Sequence, residues 1–104
     1  MRKEHYKLVR DRIPEIIERD GKKAYVRTLD DMEMIKYLES KLQEEINEYI
    51  EDRSLEELAD ILEVIYALCK AKGVSKEELE RTRAIKERAR GSFDKKIFLE
   101  YVED

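Results

Sequence analysis

The twelve residues Leu58 to Cys69 carry only two charges, Asp60 and Glu63, in a chain whose charged residues make up 46 % of the whole. A stretch apolar on nearly all sides is predicted to be a buried helix. Its ends are marked. Ser54-Leu55-Glu56-Glu57 fits the S-x-x-E capping box that opens a helix, and Gly73 stops it after about Lys72. Upstream, Ile35, Leu38, Leu42, Ile46 and Tyr49 recur at intervals of three and four. Asp31 to about Glu51 is therefore a long amphipathic helix, and the short break at Glu51-Asp52-Arg53 folds the two into an antiparallel hairpin. Downstream, Ser75-Lys76-Glu77-Glu78 repeats the capping signature and starts a helix to about Arg90, stopped by Gly91. Pro14 suits the first turn of a short helix through about Asp20, which Gly21 can end.

These elements predict a mainly α fold, an antiparallel helical hairpin or bundle. Lys23 to Leu29 alternates in period two and Lys96 to Val102 also reads as a strand, so a small two-stranded β ribbon of residues 23–29 and 96–102 is expected. At 104 residues, 1–104 reads as one domain burying roughly two-thirds of its unfolded surface. The lone cysteine, Cys69, forms no internal disulfide. No run approaches the roughly 20 apolar residues of a membrane span, and the opening Met-Arg-Lys-Glu-His-Tyr-Lys has no apolar h-region. A cytoplasmic protein without a membrane partner is expected. With 26 acidic against 22 basic residues and a net charge of −4, a nucleic-acid binder is disfavoured.

The acids are the anomaly. At about 100° per residue, Glu57, Asp60 and Val64 share a sector flanked by Ile61, Ala67 and Leu68, so Asp60 needs an Arg or Lys, strong hydrogen bonds or a metal ion. Glu45 lies at the edge of the preceding helix's apolar stripe, with Glu48 one turn on. Residues three apart are neighbours on a helix, so Glu45 with Glu48 and Glu57 with Asp60 each converge on a point. In an antiparallel hairpin rising about 1.5 Å per residue, Glu48 and Glu57 reach similar heights, as do Glu45 and Asp60. Four carboxylates in one volume call for a cation, and an all-oxygen set selects Mg²⁺, Mn²⁺ or Ca²⁺. Zinc lacks a Cys/His set. Taken singly, each acid also has an ordinary use: Glu57 within the Ser54 capping box, Glu45 and Glu48 on Lys41 or Arg53, Asp60 on a core Tyr or Arg.

Glu45-x-x-Glu48 followed by Glu57-x-x-Asp60 resembles the E-x-x-E…E-x-x-D signature of the MazG-like, all-α nucleoside triphosphate pyrophosphohydrolases. The opening Tyr6-Lys7-Leu8-Val9-Arg10-Asp11-Arg12-Ile13-Pro14-Glu15-Ile16-Ile17, the central Lys41 to Glu45 and Glu57 to Val64, and the late Lys86-x-x-x-Arg90-Gly91-x-Phe93 are similar to the phosphoribosyl-ATP pyrophosphohydrolase-like branch, whose members are described as house-cleaning enzymes. The resemblance implies Mg²⁺-dependent cleavage between the α- and β-phosphates of a nucleotide. Its products would be a nucleoside monophosphate and pyrophosphate. Glu45, Glu48, Glu57 and Asp60 would then be metal ligands and catalytic residues, and the protein a homodimer or homotetramer. Glu44 and Glu63 point elsewhere on the wheel. Phosphate binding needs cations, for which Lys86, Arg90, Lys95 and Arg10 are the candidates, Gly91 letting backbone N–H groups approach; alternatively, Lys86 and Arg90 are only a solvated helix end. His5 and Cys69 read as non-catalytic. Two alternatives stand beside this: phosphoribosyl-ATP as the substrate, and a non-enzymatic helical interaction module whose acids bind a structural cation.

Overall fold

The turn between the two long helices is closed by Arg53, a residue in the left-handed region (φ 60°, ψ 22°) where glycine is the usual occupant. Its backbone N–H donates to the Tyr49 carbonyl at 2.6 Å, and its guanidinium Nε donates to the Ile50 carbonyl at 2.6 Å. The side chain thus caps the carbonyl end of its own helix instead of pairing with Glu45 or Glu48, which offsets the cost of an L-residue in this conformation.

The computed structural model describes residues 1–104 as four helices: α1 (Ile13–Arg19), α2 (Asp31–Asp52), α3 (Leu55–Ala71) and α4 (Lys76–Arg90). The predicted boundaries hold to within a residue or two. Pro14 sits in the first turn of α1. Asp30 and Glu33 form a complete capping box at the start of α2. Ser54 and Ser75 accept from the backbone N–H of Glu57 and Glu78. Gly73 and Gly91 take positive φ at the two later stops.

α2 and α3 pack as the expected hairpin, with Leu38 and Val64 as its buried apolar residues. α4 lies against the far end of α3, where Lys76 Nζ stands 4.5 Å over the Tyr66 ring. The segment before α1 crosses the hairpin and is pinned to both helices, Lys7 to Glu44 at 3.2 Å and Arg10 to Asp60 at 2.6 Å.

Three expectations are corrected. No ribbon forms: the fold has no strand, and residues 23–29 and 96–102 run without regular structure. Two isolated strands are marginal in water unless a third strand or a helix covers their apolar side, and here Tyr25, Val26, Ile97, Phe98 and Leu99 all stay exposed. Nor is α3 buried on all sides, because α2 covers one side of it and α4 meets only its far end; Val64 is its one buried residue. The chain also buries less than two-thirds of its unfolded surface, since 10060 Å² remains accessible against about 18,000 Å² for an unfolded chain of this mass.

Leu38, only 3 % exposed, is the centre of the hairpin's packing. Leu38→Ala is expected to cost about 2–4 kcal/mol in denaturant unfolding at fixed protein concentration. Met32→Ala, on the solvated side of the same helix, should stay within about 0.5 kcal/mol.

Candidate metal centre

Glu45 projects from the middle of α2 into the hairpin and is 6 % exposed. One turn earlier, the largely buried Lys41 places its Nζ 3.3 Å from Glu45 Oε1 and 3.2 Å from Glu44 Oε2. Glu44 is held from its other side by Lys7. Only one oxygen of Glu45 is therefore engaged. Its Oε2 is buried without a hydrogen-bond partner, and so is Glu57 Oε2 across the hairpin. The Ser54 hydroxyl accepts the Glu57 backbone N–H, while the Glu57 carboxylate is not returned to the Ser54 backbone as a full capping box would require. That leaves the side chain free to turn inward.

Glu45, Glu57 and Asp60 each bring an oxygen within 4.8 Å of the others. Buried oxygens without partners are rare because leaving one unsatisfied costs free energy, and three carboxylates at this range repel. A hard divalent cation is one group that would answer both demands. An ion bonded at about 2.1–2.4 Å spans oxygens up to about 4.2–4.8 Å apart, so the three acids lie close enough together to reach one cation. The all-carboxylate donor set suits the same ions.

The electrostatics agree with the geometry. Burial pushes the Glu45 carboxyl above the usual carboxylate value, the Glu48 charge adds to this, and Lys41 opposes it without prevailing. Glu57 is raised by burial first and then by Glu48, Asp60, Asp52 and Glu45. Burial also works against the Lys41 ammonium, yet Glu44 and Glu45 outweigh it and hold the group above its ordinary value. Glu44 lies below its ordinary value, because Lys7 and Lys41 together overcome its burial.

Of the four acids read from the sequence, three converge. Glu48 stands outside the closest group and acts on Glu45 and Glu57 through its charge. Asp60 has the partner it needed: Arg10 Nη2 donates to its Oδ1 at 2.6 Å. The buried member of the set is Glu45, whereas the Asp60 side chain is 38 % exposed. Among the basic candidates, Arg10 reaches the acids. Lys86, Arg90 and Lys95 lie on α4 and just beyond it, exposed and outside every ion pair of the chain. Glu63 is exposed, as are His5 and the segment around it. Lys41 and Lys7 emerge as the cations that set the charge beside Glu45. The spacing of Lys41 before Glu44 and Glu45 signals that role, since residues three and four apart face each other on a helix; nothing local signals Lys7.

No protein-family profile matches this chain, and no solved structure does. An uncharacterized protein of Mycolicibacterium smegmatis is 51 % identical over 41 residues, a stretch that covers 39 % of this chain and 42 % of that protein. The chain thus spans less than half the length of that relative.

The raised carboxyls of Glu45 and Glu57 give the metal-free protein a pH dependence of definite sign. Their folded-state values lie above the unfolded ones, so the folded state holds more protons and stability falls as pH rises out of the carboxylate range. Thermal unfolding from about pH 5 to 8 should show this contribution without metal and its reversal with Mn²⁺, which needs the ionised acids. Glu57→Gln should raise metal-free stability at neutral pH and lose the Mn²⁺-induced increase. If that variant keeps the full Mn²⁺ response, Glu57 is no ligand.

Proposed function

We propose that the protein is a Mg²⁺-dependent nucleotide pyrophosphohydrolase that cleaves between the α- and β-phosphates of a nucleoside triphosphate, giving a nucleoside monophosphate and pyrophosphate. The observation that carries this reading is the pair of buried, partnerless oxygens on Glu45 and Glu57, two acids that together with Asp60 bring one oxygen each to within 4.8 Å of the others. These are the positions of the E-x-x-E…E-x-x-D pattern, of which Glu48 supplies the remaining charge.

Glu45, Glu57 and Asp60 would hold the ion, with Mn²⁺ an acceptable substitute. The bound ion would supply charge neutralisation on the phosphates and a more acidic water for attack at phosphorus. Lys41 fixes the orientation of Glu45 by holding Oε1, which leaves Oε2 for the site. Arg10, more than half exposed and carried on the segment before α1, is placed to exchange Asp60 for a phosphate oxygen, where a guanidinium can bind through two N–H groups. Beside Lys41, a cavity of about 160 Å³ opens between that segment and α2, with Tyr6 and Tyr37 in its wall. Tyr6 and Tyr37 offer aromatic surface of the kind a base stacks on; Arg10 is not part of that wall. Lys86, Arg90 and Lys95 have no such placement within one chain, so Arg10 carries the anion-binding role in this reading. Phosphoribosyl-ATP offers the same anhydride and is the rival substrate.

Incubation with Mg²⁺ and a panel of canonical, deoxy, oxidised and deaminated triphosphates plus phosphoribosyl-ATP tests the reading by product analysis. Monophosphate and pyrophosphate should form, and Asp60→Asn should abolish them while keeping the helical fold. Arg10→Ala should tighten Mn²⁺ binding in the absence of nucleotide, by freeing Asp60, and raise KM about 10-fold or more, the cost of one charge-assisted phosphate contact. Metal-dependent stabilisation with no product from any nucleotide would favour the interaction module instead.

A further inference from the structure

The polar lining of the cavity between α2 and the segment before α1 is unbalanced. Lys7 and Lys41 bring two ammonium groups to it and Glu44 one carboxylate. Both oxygens of that carboxylate are engaged, Oε1 by Lys7 at 3.2 Å and Oε2 by Lys41 at 3.2 Å. Lys41 also lies 3.3 Å from Glu45 Oε1. An ammonium has three donors and no acceptor, so Lys7 keeps two N–H groups and Lys41 one for a ligand. The Lys7 side chain is 43 % exposed. The wall thus carries a net positive charge and a surplus of donors beside the rings of Tyr6 and Tyr37.

Tyr6 is placed at some cost. Its backbone lies in the left-handed region (φ 46°), which is uncommon for a bulky L-residue, and the residue is 77 % exposed. Core packing does not hold it there, and backbone conformations of this kind cluster at ligand clamps. On α2, Tyr37, Lys41, Glu44 and Glu48 follow at intervals of four, three and four, which puts them on one face. The face that lines the cavity therefore leads on by one turn, about 6 Å, from Glu44 to Glu48. On the segment before α1, Arg10 follows Lys7 by three residues, at most about 10 Å of chain, and holds Asp60. The cavity and the acid cluster are two ends of one track bordered by residues 6–10.

We propose that this cavity selects the base of the nucleotide and that it selects a 6-oxopurine, the class of guanine and hypoxanthine, over adenine, with Lys7 reading the difference; the assignment rests on the nucleotide reading above. Guanine presents O6 and N7 as adjacent acceptors, whereas adenine puts an N6 amino donor in the place of O6. The free N–H groups of Lys7 match the first edge. The second sets donor against donor and leaves polar groups unpaired, which is how a polar site rejects a near-isostere. Glu44 does not turn to the amino group, because an ammonium holds each of its oxygens. The two tyrosines hold either base by its face and supply affinity without preference. A cavity of about 160 Å³ is smaller than the roughly 300 Å³ at which pockets for whole ligands begin. It suits the base alone, the ribose and phosphates running along the track toward Arg10 and the acids.

Titration of the isotope-labelled full chain with inosine, guanosine and adenosine monophosphates, without metal and followed by NMR, tests this separately from turnover. The inosine and guanosine nucleotides should shift the amides of Tyr6, Lys7, Tyr37 and Lys41 and bind about 10-fold or more tightly than the adenosine nucleotide, the range for a hydrogen bond to a charged group. Lys7→Met should bring inosine monophosphate down to the adenosine nucleotide's affinity. Because Lys7→Met also frees Glu44, a second variant stands beside it: Tyr6→Ala, at an exposed position outside the helices, should weaken all three about 10-fold and leave their ratio unchanged. Equal or tighter binding of the adenosine nucleotide overturns the proposal, as does a Lys7→Met variant that keeps the preference, or the absence of shifts at the cavity with any of the three. Triphosphates hydrolysed without regard to the base remove this assignment and leave the pyrophosphohydrolase reading standing. Selective binding with no product from any triphosphate does the reverse.

Discussion

Packing of α2 on α3 forces Glu45, Glu57 and Asp60 to within 4.8 Å of one another, and this repulsive contact is what the surrounding structure has to manage. Two apolar residues, Leu38 and Val64, are the buried hydrophobic part of the hairpin. Beside them sits a buried Glu. An apolar residue at position 45 would close the same interface at lower cost, because a carboxylate taken from water without full hydrogen bonding is destabilising. The hairpin carries a charge where packing alone would place a Leu or Ile.

Two cations reduce that cost from opposite sides. Lys41 comes from the same helix one turn earlier and holds one oxygen of Glu45. Arg10 comes from the far end of the chain, across fifty positions, and holds Asp60. Neither reaches Glu45 Oε2 or Glu57 Oε2. The compensation is partial, and the unmet part is concentrated on those two oxygens. This distribution separates a candidate metal centre from the ordinary acidic surface, where Glu80 with Arg83 and Glu33 with Arg27 pair in full view of solvent. Surface pairs of that kind contribute little to stability and imply no ligand.

The hairpin is also thin. A two-helix layer can bury one stripe of each helix, and α3 has apolar residues for more than one. With α4 touching only its end and the chain elongated to 62 Å, the unsatisfied surface is directional and lies opposite the acids. The two features thus lie apart: partly unpaired carboxylates where α3 meets α2, and exposed apolar area at Leu55, Leu58 and Leu62.

Helix limits were legible residue by residue, because Ser54, Ser75, Gly73 and Gly91 act through hydrogen bonds and dihedrals that span a turn or less. The convergence of Glu45, Glu57 and Asp60 was legible too, since a short break between two periodic helices leaves an antiparallel hairpin as the compact solution, and rise per residue then matches their heights. Local pattern misjudged the ribbon, because period-two alternation in residues 23–29 and 96–102 describes a strand only if another element covers it. The Arg10–Asp60 pair, the choice of Glu45 over Asp60 as the buried acid, and the bare face of α3 belong to the tertiary structure. Each depends on which groups meet across the hairpin or fail to meet, and a contact between residues distant in sequence is set by the balance of burial, charge and chain entropy over the whole molecule. Local pattern along the chain laid out the helices and the acids on them; packing across the hairpin left two of their oxygens without partners.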